Sequence, residues 1–179
     1  MARLTSTSAE ELRISDICKD TGLSSNGIYF HFGSRQGIID QAYLELYKTQ
    51  HAQMNQLLEY VLSSSSSTQE YLLKLDELRE ANLEQASIFR NLEVQINARA
   101  VSNKKFLEQF KPVKTKCMQD AAAIFENHMN KGFFESRITP MNLAILFVST
   151  VMLLGIHDET VGSTDINPIY DLLLNGFSS

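Results

Sequence analysis

The chain has 179 residues, of which 44% are hydrophobic and 21% charged, a composition typical of a globular protein with a sizeable core. Its net charge is -5 and its isoelectric point about 5.4, which excludes a uniformly basic nucleic-acid-binding surface. It contains only 3 Pro and 8 Gly and shows no strand alternation, so the composition and pattern favour an all-α fold.

No long apolar segment or leader peptide stands out. The longest apolar run, Leu143 to Ile156, is shorter than the ~20 residues that a membrane-spanning helix needs. The two cysteines, Cys18 and Cys117, lie far apart in helical patterns, as buried thiols in a reducing compartment do. We therefore expect a cytoplasmic protein without membrane contact.

The first elements form a pair of short helices. After the polar start, Ser8 and Glu11 have the spacing of a capping box for a short first helix. A helix over residues 14–22 then meets a break at Thr21-Gly22, and a second helix follows over residues 24–32. Such a pair is a helix-turn-helix, whose second helix can lie in the DNA major groove. The residues expected in its core are Ile14, Ile17, Leu23, Ile28 and Phe32.

The middle of the chain predicts two long helices. Ser34 has the position of an N-cap for a helix that runs to about Leu62. The serine run 63–67 interrupts the pattern, and Ser67 with Glu70 forms a capping-box spacing for a new helix that Ser102-Asn103 ends.

Prolines indicate where the helices of the last part of the chain begin. A short helix is expected over residues 104–110, and Pro112 should open the next, which runs to Lys131 and stops at Gly132. Thr139-Pro140 and Asn167-Pro168 each place a capping side chain before a proline, so they open helices over about 140–157 and 167–177.

Several of these segments resemble the TetR family of bacterial transcription regulators. The resemblance rests on Ile14 to Cys18, Thr21 to Ser24, Ile28 to Phe32 and Ser34-Arg35, with weaker likeness at residues 131–140, 154–155 and 167–177. It implies a DNA-binding head over residues 1–48, with a first helix that is short or missing, and a ligand-binding and dimerisation domain over 49–179. The function it implies is that of a homodimeric repressor that binds double-stranded operator DNA and is released by a small apolar or amphipathic effector.

The resemblance and the position of the second short helix indicate DNA-contacting residues. Tyr29, His31 and Arg35 match phosphate-contacting positions of the family, and a hydroxyl, an imidazole or a guanidinium can each donate to a phosphate. Asn26 could read an adenine edge, and Gly27 could allow close approach of the backbone. The complete set is Ser24, Ser25, Asn26, Gly27, Tyr29, His31 and Arg35.

The head also departs from the family pattern. Arg13 stands where the family usually caps with Thr, and Ser25-Asn26-Gly27 replaces a frequent Lys-Gly-Thr. The lost cation weakens phosphate attraction, and a glycine inside a helix costs roughly 1 kcal/mol relative to Ala. The alternative function is therefore a helical small-molecule-binding or adaptor protein with a degenerate DNA-binding head.

The body offers apolar and polar side chains at helical spacing, which are typical of a core and, by the resemblance, of an effector pocket. The pocket residues we expect are Phe89, Leu92, Glu93, Ile96, Met118, Phe125, Met129 and Phe147. The resemblance also implies a four-helix dimer interface made by the last two helices of each subunit. The interface residues expected are Leu143, Phe147, Thr150, Val151, Leu154, Leu172 and Leu173.

No motif indicates catalysis. The four histidines show no pair at three or four residues' spacing and no cysteine cluster accompanies them, so no metal site or cofactor is predicted. A nucleophile elbow, a phosphate-cradling glycine loop and a zinc-protease motif are all absent from the sequence. A helical enzyme is thus the least favoured reading, and we expect a protein without enzymatic activity.

Overall fold

A computed structural model of the protein describes residues 13–22, 24–81, 83–132, 138–160 and 168. Within that part of the chain every regular element is an α-helix, which confirms the predicted all-α class. None of the described helices is both long and apolar enough to cross a membrane. In chain order the helices are α1 (Ile14–Thr21), α2 (Ser25–Phe32), α3 (Arg35–Ser64), α4 (Thr68–Ala81), α5 (Leu83–Ser102), α6 (Lys104–Asn130) and α7 (Pro140–Thr160).

The predicted helix pair at the start is confirmed, and its turn is built by local hydrogen bonds. Gly22 ends α1 in the left-handed region, with φ at 71°, and its N–H donates to the carbonyl of Cys18. The hydroxyl of Ser24 accepts from the N–H of Gly27 at 3.1 Å and so caps α2. Contacts of α2 with both α1 and α3 complete a three-helix arrangement.

α3 is the longest helix and links this head to the rest of the molecule. The hydroxyl of Ser34 caps it by accepting from the N–H of Gly37 at 3.0 Å, as the sequence predicted. Its 30 residues span about 45 Å and end at Ser64, two residues beyond the expected end. One rigid element therefore runs from the head through the body.

The start of α4 also follows the predicted capping box, except that one of its two hydrogen bonds involves Ser66 in place of Ser67. The hydroxyl of Ser67 accepts from the N–H of Glu70 at 3.2 Å, whereas the Glu70 carboxylate accepts from Ser66. The single helix expected from Ser67 to Ser102 is described as two, α4 and α5, on either side of residue 82, which lies outside the described residues.

The break expected before Pro112 is wrong. α6 continues from Lys104 to Asn130 with Pro112 inside it. A proline in a helix interior costs about 3 kcal/mol, because it removes one hydrogen bond and crowds the preceding turn. Phe110 and Cys117 lie on either side of the proline and are buried in the same cluster, so tertiary packing outweighs the local cost.

Two apolar clusters form the core, and α3 contributes to both. The first joins α3, α5 and α6, and its buried members are Ile39, Tyr43, Leu44, Leu46, Tyr47, Leu92, Ile96, Ala100, Phe106, Phe110, Cys117 and Met118. The second joins α3, α4, α6 and α7, and its buried members are Leu58, Val61, Leu62, Tyr71, Leu72, Ala121, Ala122, Phe125, Leu143 and Ala144. Ile17 of α1 packs on the first cluster, so the head and the body share it.

The expected core of the head is corrected at one position. Ile28 is fully buried and Ile14 and Ile17 are half-buried, but Phe32 is 40% exposed at the last turn of α2. Cys18 is half-buried and Cys117 is buried, and both are free thiols. Leu23, the short helix expected before Ile14 and the helix expected at Asn167-Pro168 lie outside the described residues, apart from residue 168.

Candidate functional site

The exposed side of α2 is the candidate DNA-contacting surface. Ile28 anchors the helix on one side, and at 100° per residue Asn26 and Phe30 project from the opposite side. Asn26 and His31 are exposed, and Tyr29 has 41% of its surface accessible. The helix therefore turns a set of polar and aromatic side chains outward.

The remaining residues predicted to contact DNA lie at the two ends of this helix. Ser24 is exposed but engaged in capping, and the hydroxyl of Ser25 lies 3.4 Å from the thiol of Cys18. Gly27 is half-buried beneath the cap, and Arg35 is half-buried as the first residue of α3. All seven predicted residues thus lie within one continuous stretch, although the two serines already serve local structure.

Phe30 is a surface feature that the sequence reasoning missed. It is 86% exposed, and its ring meets the edge of the His31 ring at 5.6 Å. Tyr29 and Phe32 are also 41% and 40% exposed, so this short helix carries three exposed aromatic side chains, and clustered exposed apolar groups are a feature of interaction surfaces. The signal was present in the sequence, since Phe30 lies two residues from the anchoring Ile28 and therefore on the other side of the helix.

The junction between α2 and α3 depends on a glycine. A Cβ atom at Gly37 would lie 2.1 Å from the carbonyl oxygen of Phe32, well inside contact distance. The absence of a side chain at this position lets the first turn of α3 approach the end of α2. The orientation of α2 relative to α3 is thereby tied to residue 37.

Polar bridges join α3 to α5 next to the head. Arg99 donates to both carboxylate oxygens of Asp40, at 2.9 and 3.3 Å, and its guanidinium lies 5.9 Å from the ring centre of Phe106. The hydroxyl of Tyr43 donates to the amide oxygen of Gln95 at 3.0 Å. Burial raises the pKa of Tyr43, so this hydroxyl remains a donor at neutral pH.

One helical turn further along α3 the buried polar groups are arranged differently. We name this region the polar seam: Tyr47, Gln50, His51 and Asn55 of α3 with Glu93 of α5. Nε2 of His51 donates to Oε1 of Glu93 at 2.6 Å, and Asn97 donates to the other carboxylate oxygen at 3.0 Å. Both His51 and Glu93 are buried.

Aromatic rings enclose the seam. The imidazole of His51 stacks on Tyr47 with ring centres 4.1 Å apart and is tilted against Phe89 at 5.4 Å. Phe110 meets the edge of Tyr47 at 4.8 Å. Burial, and next the charge of Glu93, raises the pKa of the Tyr47 hydroxyl, which therefore stays protonated.

The seam contains several buried atoms without a hydrogen-bond partner among the described residues. They are Oη of Tyr47, Oε1 of Gln50, Nδ1 of His51 and Oδ1 of Asn55. Buried polar atoms are normally paired with protein or water, because leaving one unpaired costs about 1 to 3 kcal/mol. Their concentration within nine residues of one helix distinguishes the seam from the bridges nearer the head.

The predicted effector-pocket residues divide between two places. Phe89 and Glu93 contact His51 directly, and Leu92, Ile96 and Met118 share the first cluster with Tyr47. Phe125, Met129 and Phe147 instead belong to or pack on the second cluster. The structure therefore brings five of the eight predicted residues together around the seam.

The predicted interface residues that the structure describes lie on α7. Leu143 is buried in the second cluster. Phe147 contacts the ring of Phe125 at 5.9 Å, while Thr150 and Val151 are half-buried. The side chain of Leu154, together with Leu172 and Leu173, lies outside the described residues.

A metal centre has no support in this part of the chain. Among the residues that the structure describes, no group of three or more His, Cys, Asp or Glu side chains is placed to hold a metal ion. The chemistry offered by the described residues is thus an exposed helix face in the head and a buried polar region in the body.

A short helix pair, a long connecting helix and a helical body together form the fold of TetR-type regulators. A protein from Mesorhizobium loti assigned to the TetR family superposes with a TM-score of 0.64 at 18% identity, covering 98% of this chain and 89% of the other. Salmonella enterica GusR superposes with a TM-score of 0.60 at 18% identity, with coverages of 97% and 91%. A protein from Saccharomonospora viridis, assigned as a transcriptional regulator and solved in complex with choline, superposes with a TM-score of 0.59 at 19% identity. The coverages are 96% of this chain and 87% of the other.

These likenesses establish a TetR-like fold for the chain. Neither a protein-family model nor a curated protein matches the sequence. At 18 to 19% identity the solved structures define the architecture, and function has to be argued from the residues of this chain.

Proposed function

We propose that this chain is a DNA-binding transcription regulator that works as a homodimer and responds to a small molecule. The observation that carries the proposal is the exposed face of α2, with Asn26, Tyr29 and His31 accessible on a helix anchored by Ile28. A TetR-like fold that presents such a helix supports a role in the major groove. The head would comprise residues 1–48 and the ligand-binding and dimerisation domain residues 49–179.

Each exposed residue has a distinct expected contact. The hydroxyl of Tyr29, the imidazole of His31 and the guanidinium of Arg35 would donate to phosphates, while Asn26 would bond an adenine edge. Phe30 adds an apolar contact of the kind that recognises a thymine methyl group. Ser24, Ser25 and Gly27 would bring the helix N-terminus, with its free N–H groups, close to the backbone of the DNA.

The effector would bind at the polar seam. Phe89, Leu92, Glu93, Ile96 and Met118 surround or adjoin His51, and the unpaired polar atoms of the seam need partners. The seam lies on α3, the helix whose first turn contacts α2. A ligand that binds one position of α3 better than another would shift the two heads of a dimer relative to the operator.

A fluorescence-anisotropy titration with the DNA upstream of the protein's own gene tests the proposal. Binding well above that to random DNA at physiological salt is expected, with two half-sites related by the symmetry of a dimer. Equal binding to random DNA would contradict it. Light scattering of the same sample should give the mass of a dimer.

Point variants divide the contacts into two kinds. Tyr29→Phe and Arg35→Gln should weaken binding to every DNA sequence, and Arg35→Gln, which removes a cation, should also reduce the salt dependence. Asn26→Ala and Phe30→Ala should weaken only operator binding, by about tenfold each. Gln56→Ala, an exposed change on α3 beyond the head, is the matched control and should leave DNA binding unchanged.

A second function, a small-molecule-binding protein with a degenerate DNA-binding head, is favoured by one observation. α2 contains no Lys or Arg, and the chain carries a net charge of -5, so electrostatic attraction to DNA is weak. This alternative predicts a dimer that binds ligand and leaves no footprint on the upstream DNA.

A further inference from the structure

The chemistry of the polar seam specifies what its ligand carries. The unpaired atoms lie on α3 beside Glu93 of α5, and two of them, on Tyr47 and His51, belong to side chains that are each only 1% exposed. Buried atoms of this kind are satisfied by water or by a ligand in almost all proteins. Because Tyr47 and His51 also pack their rings on each other, their polar atoms are held in fixed positions.

Two of these atoms are hydrogen-bond acceptors. The carboxylate of Glu93 can only accept, so the close contact requires a proton on Nε2 of His51. The amide oxygens of Gln50 and Asn55 are acceptors as well. A ligand that complements these two amide oxygens and a buried carboxylate must supply N–H donors.

The rings and charged groups around the seam indicate the frame and the charge of the ligand. Tyr47, His51 and Phe89 offer ring faces or edges, which suit an aromatic frame. One cation adjoins the region from α6: Lys114 donates to Asn97 at 2.9 Å, and Asn97 in turn donates to Glu93. An anionic ligand would lie against Glu93, where like charge repels it.

We propose that the polar seam binds an aromatic amine or amidine, whose N–H groups bond to Gln50 and Asn55 and whose charge lies near Glu93. This rests on the proposed function in taking the seam as the effector site. The ligand is expected to bind the protein in the absence of DNA.

Isothermal titration of the full chain with benzamidine tests the proposal directly. Benzoate and benzyl alcohol keep the ring but replace the N–H donors with a carboxylate or a hydroxyl. Benzamidine is expected to bind and to raise the melting temperature, while the other two bind at least about tenfold more weakly. No benzamidine binding at millimolar concentration, or equal binding of benzoate, would overturn the proposal.

Two glutamines on α3 provide a matched pair of variants. Gln50→Ala removes a predicted acceptor and should weaken benzamidine about tenfold, whereas Gln53→Ala, an exposed change one turn away, should have no effect. Glu93→Gln, which keeps the size of the side chain, should also weaken benzamidine about tenfold without changing benzyl alcohol. Equal losses in the two glutamine variants would contradict a site at the seam.

The DNA titration separates this inference from the proposed function. If Gln50→Ala weakens benzamidine binding but the protein does not select operator DNA, the ligand site is supported and the regulator function is contradicted. If the protein selects operator DNA but does not bind benzamidine, the regulator function is supported and the ligand site is contradicted. Thermal melts of each variant establish that the protein being titrated is folded.

Discussion

The first three turns of α3 and its middle meet α5 in contrasting ways. Near the head, Asp40 and Tyr43 have partners in Arg99 and Gln95, and these bridges hold the two helices at a fixed separation. In the middle, Tyr47 and Asn55 carry buried polar atoms without a partner among the described residues. Since an unpaired buried group costs more free energy than a paired one, the first region favours rigidity, and the second is where the proposed ligand would supply the missing partners.

The contrast matters because both regions belong to one helix. The first turn of α3 contacts α2 through Gly37, and His51 lies four turns further along. A rigid helix transmits a displacement at its middle to its end, provided that the bridges near the head keep their geometry. Substitutions that break one region and spare the other therefore test whether the two are different in kind.

The largest effect is expected from His51→Leu. The change leaves the buried carboxylate of Glu93 without its closest partner, and breaking a buried pair in this way should lower the free energy of unfolding by about 3 kcal/mol. Chemical denaturation of the ligand-free protein measures it. The double variant His51→Leu with Glu93→Leu removes both groups and should recover most of the loss. A double variant as unstable as the single one would contradict a coupled pair.

Gly37→Ala should have the next largest effect. Its Cβ would collide with the carbonyl oxygen of Phe32, so α2 and α3 must move apart, at a cost of about 2 kcal/mol and with loss of operator binding. Gly27→Ala is the control for stability alone, because its Cβ would meet only the capping hydroxyl of Ser24, at 3.3 Å, and Gly27 itself belongs to the proposed DNA surface. That variant should raise stability by up to roughly 1 kcal/mol, as Ala favours a helix more than Gly.

Asp40→Asn should cost about 1 to 2 kcal/mol, because it removes the charge from a bidentate bond that is largely shielded from solvent. The same change should alter the operator affinity of the ligand-free protein, since this bridge lies within two turns of the end of α3 that contacts α2. Unfolding and DNA titration of one preparation measure both. Gln41→Ala, on an exposed neighbouring position of α3, serves as control, and an equal loss there would remove the special role of the bridge.

Local signals explain why the head could be predicted from the sequence. Gly22, Ser24 and Ser34 act on backbone groups within four residues of themselves, so their positions define where α1, α2 and α3 begin or end. Pro112 is also a local signal, but the packing of α6 overrides it. Local rules thus hold where no tertiary contact opposes them.

The polar seam could not be predicted for a related reason. His51 and Glu93 are 42 residues apart, and the spacing of the histidines in the sequence does not predict their contact. Glu93 was found as a candidate only because polar residues interleave with apolar ones on α5, a pattern that solvent exposure explains equally well. A site assembled across two helices needs the packing of those helices, which sequence periodicity alone leaves open.

The smallest changes in stability are expected from Tyr43→Phe and Tyr47→Phe, and this pair compares the bridges with the polar seam most directly. Tyr43→Phe removes a bond to Gln95 and should cost about 1 kcal/mol. Tyr47→Phe removes a hydroxyl that has no partner among the described residues, so the ligand-free protein should be unchanged or slightly more stable. Thermal unfolding of both variants measures the difference, and the identical chemical change at each position makes every other contribution comparable. Equal destabilisation would mean that the seam is as fully paired as the bridges, whereas a silent Tyr47→Phe that still weakens ligand binding would mark its hydroxyl as kept for the ligand.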